Sequence, residues 1–122
     1  MFIRFEAKLF NQKTKSNIGV FGAITELIEN EKISPKLKLE AQNILSWFSE
    51  NLLSPRPLRI EGDEYYGTCW FRITALDHVQ RTQRICAILN KIGVQTRKRS
   101  SGQFDEIIYS DEYQIVSRTL NP

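Results

Sequence analysis

The chain has 122 residues, 41% hydrophobic and 25% charged, with 17 Lys and Arg against 14 Asp and Glu for a formal charge of +3 and a pI near 9.0. That length fits one domain over residues 1–122, able to bury roughly two-thirds of its unfolded surface without a metal or a disulfide. No apolar run approaches the roughly 18 residues of a membrane span, and 2 Cys with 1 His fall short of the ligands a structural zinc site needs.

Residues 2 to 9 alternate, with Ile3, Phe5, Ala7 and Leu9 on one side and Arg4, Glu6 and Lys8 on the other. Period two predicts a half-buried strand. Alternation also argues against a signal peptide, which needs a continuous apolar segment. The expectation is a cytoplasmic protein with reduced cysteines and no membrane contact. Residues 11–17 form a polar loop, from which Ser16 or Asn17 can cap a helix over about 18–31. Gly19 and Gly22 weaken that helix and permit a close backbone approach.

Ser34 as N-cap and Pro35 at the first helical position open a second helix. Its stripe is Leu37, Ala41, Ile44, Leu45, Phe48 and Leu52. Two prolines at positions 55 and 57 stop it. Residues 53–73 are expected to be irregular, with one short strand at most. Thr74 and Asp77 have the spacing of a capping box. The third helix then runs to about Ile92 and ends at Gly93. A basic strand over 94–99 and a hairpin turning near Ser110-Asp111 complete the chain. In the hairpin, Ile107 should share a face with Tyr109, and Tyr113 with Ile115. The fold class is α+β: one sheet of about four mostly antiparallel strands with three helices on one face.

His78 projects onto the apolar stripe of the third helix, beside Leu89, Ile85 and Cys86. Such a His satisfies a backbone carbonyl or a carboxylate. The sharper alternative makes it a general base with Cys69 as nucleophile, which needs hydrogen-bond geometry that spacing does not supply. Cys86 on the same stripe is an inert core thiol. Acidic clusters at Glu61/Asp63/Glu64, Asp105/Glu106 and Asp111/Glu112 match no metal-binding loop, and no metal or cofactor is expected.

The densest basic stretch, residues 96–103, offers Arg97, Lys98 and Arg99 to phosphates, with Arg118 joining from a neighbouring strand. Tyr65, Tyr66, Trp70 and Phe71, near Arg56, Arg59 and Arg72, give the aromatic and basic mixture of single-strand binders. The alternative is a charged edge strand that guards against aggregation.

From Trp70 onward the chain resembles a group of short bacterial and phage proteins of unassigned function. The matching residues are Trp70-Phe71, Ala75, His78, Arg81, Ile88-Leu89, Gly93-Val94 and the run from Tyr109 through Asp111-Glu112 and Gln114 to Val116. The resemblance implies a bacterial, phage or mobile-element origin. It also implies that His78, Arg81 and Glu112 lie together on one surface; it supplies no catalytic residues, and these three are catalytic candidates only under the enzyme alternative below.

The leading expectation is a small non-catalytic binding or regulatory module that docks a protein partner or a second copy of itself. The alternatives are a basic RNA or single-stranded DNA binder using Arg97, Lys98, Arg99, Arg118, Tyr66 and Trp70, and a small enzyme using His78.

Overall fold

The computed structural model describes residues 1–11, 16–53 and 67–118, with the side chains of 9–11, 16, 17 and 118 left aside. The strands are β1 (Phe2–Asn11), β2 (Ser16–Gly19), β3 (Gly67–Arg72), β4 (Thr96–Ser101), β5 (Ile107–Ser110) and β6 (Gln114–Arg118). The helices are α1 (Val20–Glu29), α2 (Pro35–Asn51) and α3 (Leu76–Lys91). The chain is α+β as its pattern implies, with six strands described rather than about four.

Every strand pairing is antiparallel, in the order β2-β1-β3-β6-β5 with β4 paired to β1 off that path. The registers explain the branch. Phe2 and Ile3 pair with both β3 and β4, and Glu6 pairs with both β2 and β4. One edge of β1 therefore belongs to β4, while β3 and β2 share the other. Between their contacts the edge of β1 forks, and Arg4 sits at the fork. Its Nη1 donates to the Cys69 carbonyl of β3 at 3.1 Å. A Cβ at Gly19, the end of β2, would lie 3.0 Å from Arg4 Nη2, so glycine makes room for the guanidinium there.

The helices cover one face of the sheet. Ile3, Phe5 and Ala7 of β1 and Phe71 of β3 pack against Ile24, Ile44, Phe48, Ile85 and Leu89. Burial of this face supplies the main stabilisation. Among the described residues no helix is long and apolar enough to cross a membrane.

Local signals were followed unevenly. Ser34 caps α2 as expected, accepting from the Leu37 N–H. Gly93 lies at φ 96° after α3. The N–H groups of Gly93 and Val94 return to the carbonyls of Asn90 and Leu89 at 3.1 and 2.9 Å. That pattern is a Schellman motif.

Three expectations are corrected. Residues 16–19 extend β1's sheet as β2, so α1 starts at Val20 with Gly19 as its N-cap and no side-chain cap. Edge pairing with β1 outcompeted the Ser16 or Asn17 cap. The expected Thr74–Asp77 capping box is absent, because Ala75 holds the N-cap position of α3. Asp77 instead faces Arg81 one turn on, at 3.8 Å. In the hairpin, the register shifts between Ile107 and Tyr109, which pair with Ser117 and Val116, so Ile107 and Tyr109 do not share a face. Tyr113 lies in the turn and packs on His78 rather than beside Ile115.

Candidate functional site

The face of the sheet away from the helices is not empty. Alternation puts Phe2, Arg4 and Glu6 of β1 there, opposite the side of Ile3, Phe5 and Ala7. Register then brings Arg99 across from Arg4 and Arg97 across from Glu6. Trp70 pairs with Ile115 on the same face.

Glu6 is the hub. Only 1% of its side chain is exposed, yet it accepts from three guanidiniums. Arg4 Nε reaches Oε2 at 3.0 Å, Arg99 Nη1 reaches Oε2 at 3.0 Å, and Arg97 Nε and Nη2 reach Oε1 at 3.2 and 3.1 Å. Burial pushes the Glu6 carboxyl up, but Arg4 and Arg99 outweigh it and hold the group below the ordinary carboxylate range. Three cations on one anion leave a formal surplus of two positive charges. Arg97 and Arg99 carry that surplus outward, at 48% and 44% exposure.

Aromatic rings border this cluster. The Arg99 guanidinium lies 5.4 Å from the centre of the Trp70 ring. The link from β4 to β5 crosses the same face, and Phe104 on it meets Trp70 and Phe2 edge-on, at 5.2 and 5.4 Å between centroids. Under the link lies a pocket of about 810 Å³, walled by Phe2, Trp70, Phe104 and Arg99, with Gln103 and Asp105 at its polar side. Trp70 itself is 5% exposed, so it forms a wall rather than an open platform.

The sequence candidates thus fall into groups. Arg97, Arg99 and Trp70 come together. Lys98 pairs with Phe5 and projects to the other side of β4. Arg118 is described only in its backbone, as the end of β6. Tyr66, Tyr65, Arg56, Arg59 and the Glu61/Asp63/Glu64 cluster lie outside the described residues.

His78 sits elsewhere, 4% exposed in an aromatic box. Tyr113 stacks on it at 4.4 Å and Trp47 meets it edge-on at 4.8 Å, with Phe48 and Phe71 about 6 Å away. Its Nε2 lies 2.9 Å from the carbonyl of Asn51, the last residue of α2. A carbonyl only accepts, so the ring nitrogen donates and satisfies one of the helix's orphan acceptors. Arg81 covers the outer side of Trp47 at 3.8 Å. Arg81, Trp47, His78 and Tyr113 form one continuous chain of contacts, and Glu112 is the exposed sequence neighbour of Tyr113.

Cys69 and His78 form no pair. The Cys69 thiol donates to Gln114 Oε1 at 3.1 Å, and burial pushes its pKa up to about 12. A thiol so held is a poor nucleophile. Gln114 in turn donates to the Leu53 carbonyl at 2.7 Å and to Asp111 at 3.1 Å. Asp111 spends its carboxylate on the hairpin turn, accepting from Tyr109, Gln114 and the backbone of Tyr113. Among the described residues no group of three or more His, Cys, Asp or Glu is placed to hold a metal ion.

A second cavity, of about 630 Å³, lies between the sheet and α1 and α2. Phe21, Leu45, Phe48, Leu52 and Phe71 line it, with Arg4 at the fork. Exposed apolar side chains gather at another end: Met1, Ile73, Leu76 and Tyr113. Ile73 N–H donates to the Met1 carbonyl and Arg72 N–H to that of Tyr113, which draws these segments together.

Comparison of the chain with protein-family models, with curated proteins and with solved structures finds no match.

Proposed function

We propose that the chain is a non-catalytic binding module whose outer sheet face takes single-stranded RNA or DNA. The observation that carries this reading is the convergence of Arg4, Arg97 and Arg99 on the buried Glu6 beside Trp70. One bidentate arginine would satisfy a buried carboxylate. Three leave surplus charge on the surface, with Arg97 and Arg99 held in fixed orientation and still carrying unused N–H groups. Oriented guanidiniums suit phosphate oxygens. Aromatic walls next to them suit an unstacked base, which a single strand offers and a duplex does not. A nucleic-acid partner accords with the basic pI, and the reading carries with it a cytoplasmic location.

A second reading keeps a protein partner, foremost a second copy or a host protein, on the apolar end formed by Met1, Ile73, Leu76 and Tyr113. It draws on the exposure of those side chains and on their backbone links.

Fluorescence anisotropy separates the two. The purified, nuclease-treated protein is titrated against labelled single- and double-stranded RNA and DNA across a salt series. The first reading requires single strands to bind and to weaken steeply with salt. Absence of binding at low salt would leave the protein-docking reading, checked by sedimentation for self-association.

A further inference from the structure

Resting on that reading, we infer that the pocket beneath the β4–β5 link seats one unstacked base of the bound strand, and that the base it selects is guanine. Arg99 belongs to two neighbouring features. Its Nη1 is tied to Glu6 in the cationic cluster, and its guanidinium lies over Trp70 in the pocket wall. The phosphate and the base of one nucleotide would therefore meet adjoining parts of one surface. Phe2 and Phe104, both half-buried, close the other apolar sides.

The polar side decides which base. Asp105 and Gln103 line the pocket, and neither side chain has a hydrogen-bond partner among the described residues. A carboxylate is an acceptor only. Guanine alone among the bases presents two adjacent N–H donors on its pairing edge, at N1 and the exocyclic N2. Adenine and cytosine present one amino donor beside an acceptor nitrogen, and uracil presents one N–H between two carbonyls. Asp105 can thus accept two hydrogen bonds from guanine, whereas any other base sets at least one acceptor against the carboxylate. Gln103 has an amide N–H available for the guanine carbonyl. Single-stranded bases are commonly read in this way, by stacking plus hydrogen bonds to the pairing edge.

The test uses labelled uridine oligomers carrying one central guanine, hypoxanthine, adenine or cytosine, with wild type and Asp105→Asn, in anisotropy across a salt series. The expected result is about tenfold tighter binding of the guanine oligomer than of the adenine or cytosine ones. Hypoxanthine, which lacks the N2 amino group, should fall between. Asp105→Asn should abolish the preference and leave the salt dependence in place. Equal affinity for all four oligomers with a steep salt dependence would overturn guanine selection while the nucleic-acid reading stands. A preference for guanine that survives in Asp105→Asn would overturn the assigned role of the carboxylate. No binding of any oligomer at low salt would remove the reading and this inference together.

Discussion

The Glu6 carboxylate and the Arg99 guanidinium meet at 3.0 Å across 93 positions of sequence. The contact ties β1 to β4 and, with Arg4 and Arg97, turns a buried anion into the organiser of a positive surface. Stability and the proposed binding activity therefore depend on the same side chain.

Replacing Glu6 with Gln should cost about 2 kcal/mol in urea unfolding. That lies below the usual cost of breaking a buried pair because Arg97 and Arg99 reach solvent. The pH dependence follows from the sign of the shift. Glu6 and Asp111 are both held below their ordinary values of 4.5 and 3.8. Their contribution to stability is present above those values and is lost as pH falls through the lower folded-state values. Thermal unfolding of the wild type should therefore show a steep loss of Tm between about pH 5 and pH 2, and Glu6→Gln should flatten it. An unchanged acid limb in the variant would mean that Glu6 is not the organising charge.

His78 joins the end of α2 to α3 and to the hairpin turn. His78→Ala should destabilise by about 3 kcal/mol through loss of the buried ring. His78→Phe should recover most of the packing but leave the Asn51 carbonyl unsatisfied, at about 1 kcal/mol. Chemical denaturation of the two variants checks this order. If both were as stable as the wild type, the box around His78 would not be a structural joint.

The thiol at Cys69 should alkylate with iodoacetamide more slowly than free cysteine at neutral pH, because burial holds it protonated. Mass spectrometry of the tryptic peptide reports the rate. His78→Phe should leave it unchanged in the folded protein. Fast, His78-dependent labelling would restore the Cys-His pair that the geometry denies.

The fold was legible where a local signal had no competitor. The Ser34-Pro35 start of α2, the alternation of β1 and the Gly93 stop of α3 needed only their own neighbours. The inward-facing His78 also followed from helical spacing, which left its partner open between a backbone carbonyl and a carboxylate; the Asn51 carbonyl is what the fold supplies. What escaped depends on pairing. Ser16–Gly19 carries cap-forming residues, and only the free edge of β1 makes it a strand. Gly67–Arg72 lacks a clean alternation because both of its faces are covered, by the helices at Phe71 and by the β4–β5 link at Trp70. The candidate site was half visible. Arg97, Arg99 and Trp70 stood out as a basic and aromatic set, but Glu6 did not. Its role arises from the β1–β4 register, which strand composition does not specify. The sequence signal that could have found it is the matched Arg-x-Glu of β1 and Arg-x-Arg of β4, read as a cross-strand pair.

Gly93 gives a check on the chain path between α3 and the proposed binding face on β4. At φ 96°, an added Cβ meets no neighbouring atom, so the cost of Gly93→Ala is backbone strain alone. It should be about 1 kcal/mol, with nucleic-acid binding unaltered. A larger loss, or altered binding, would show that β4 is positioned through this turn.

In the proposed function, Arg97 and Arg99 form the phosphate-facing surface. The most direct measurement is the salt dependence of single-stranded RNA binding for wild type, Arg97→Ala, Arg99→Ala and the double variant. Loss of each phosphate contact should lower the slope of log affinity against log salt by about 0.7 for a single strand, and the double variant by about twice that. Identical slopes in all four proteins, or no binding by the wild type at low salt, would contradict the claim.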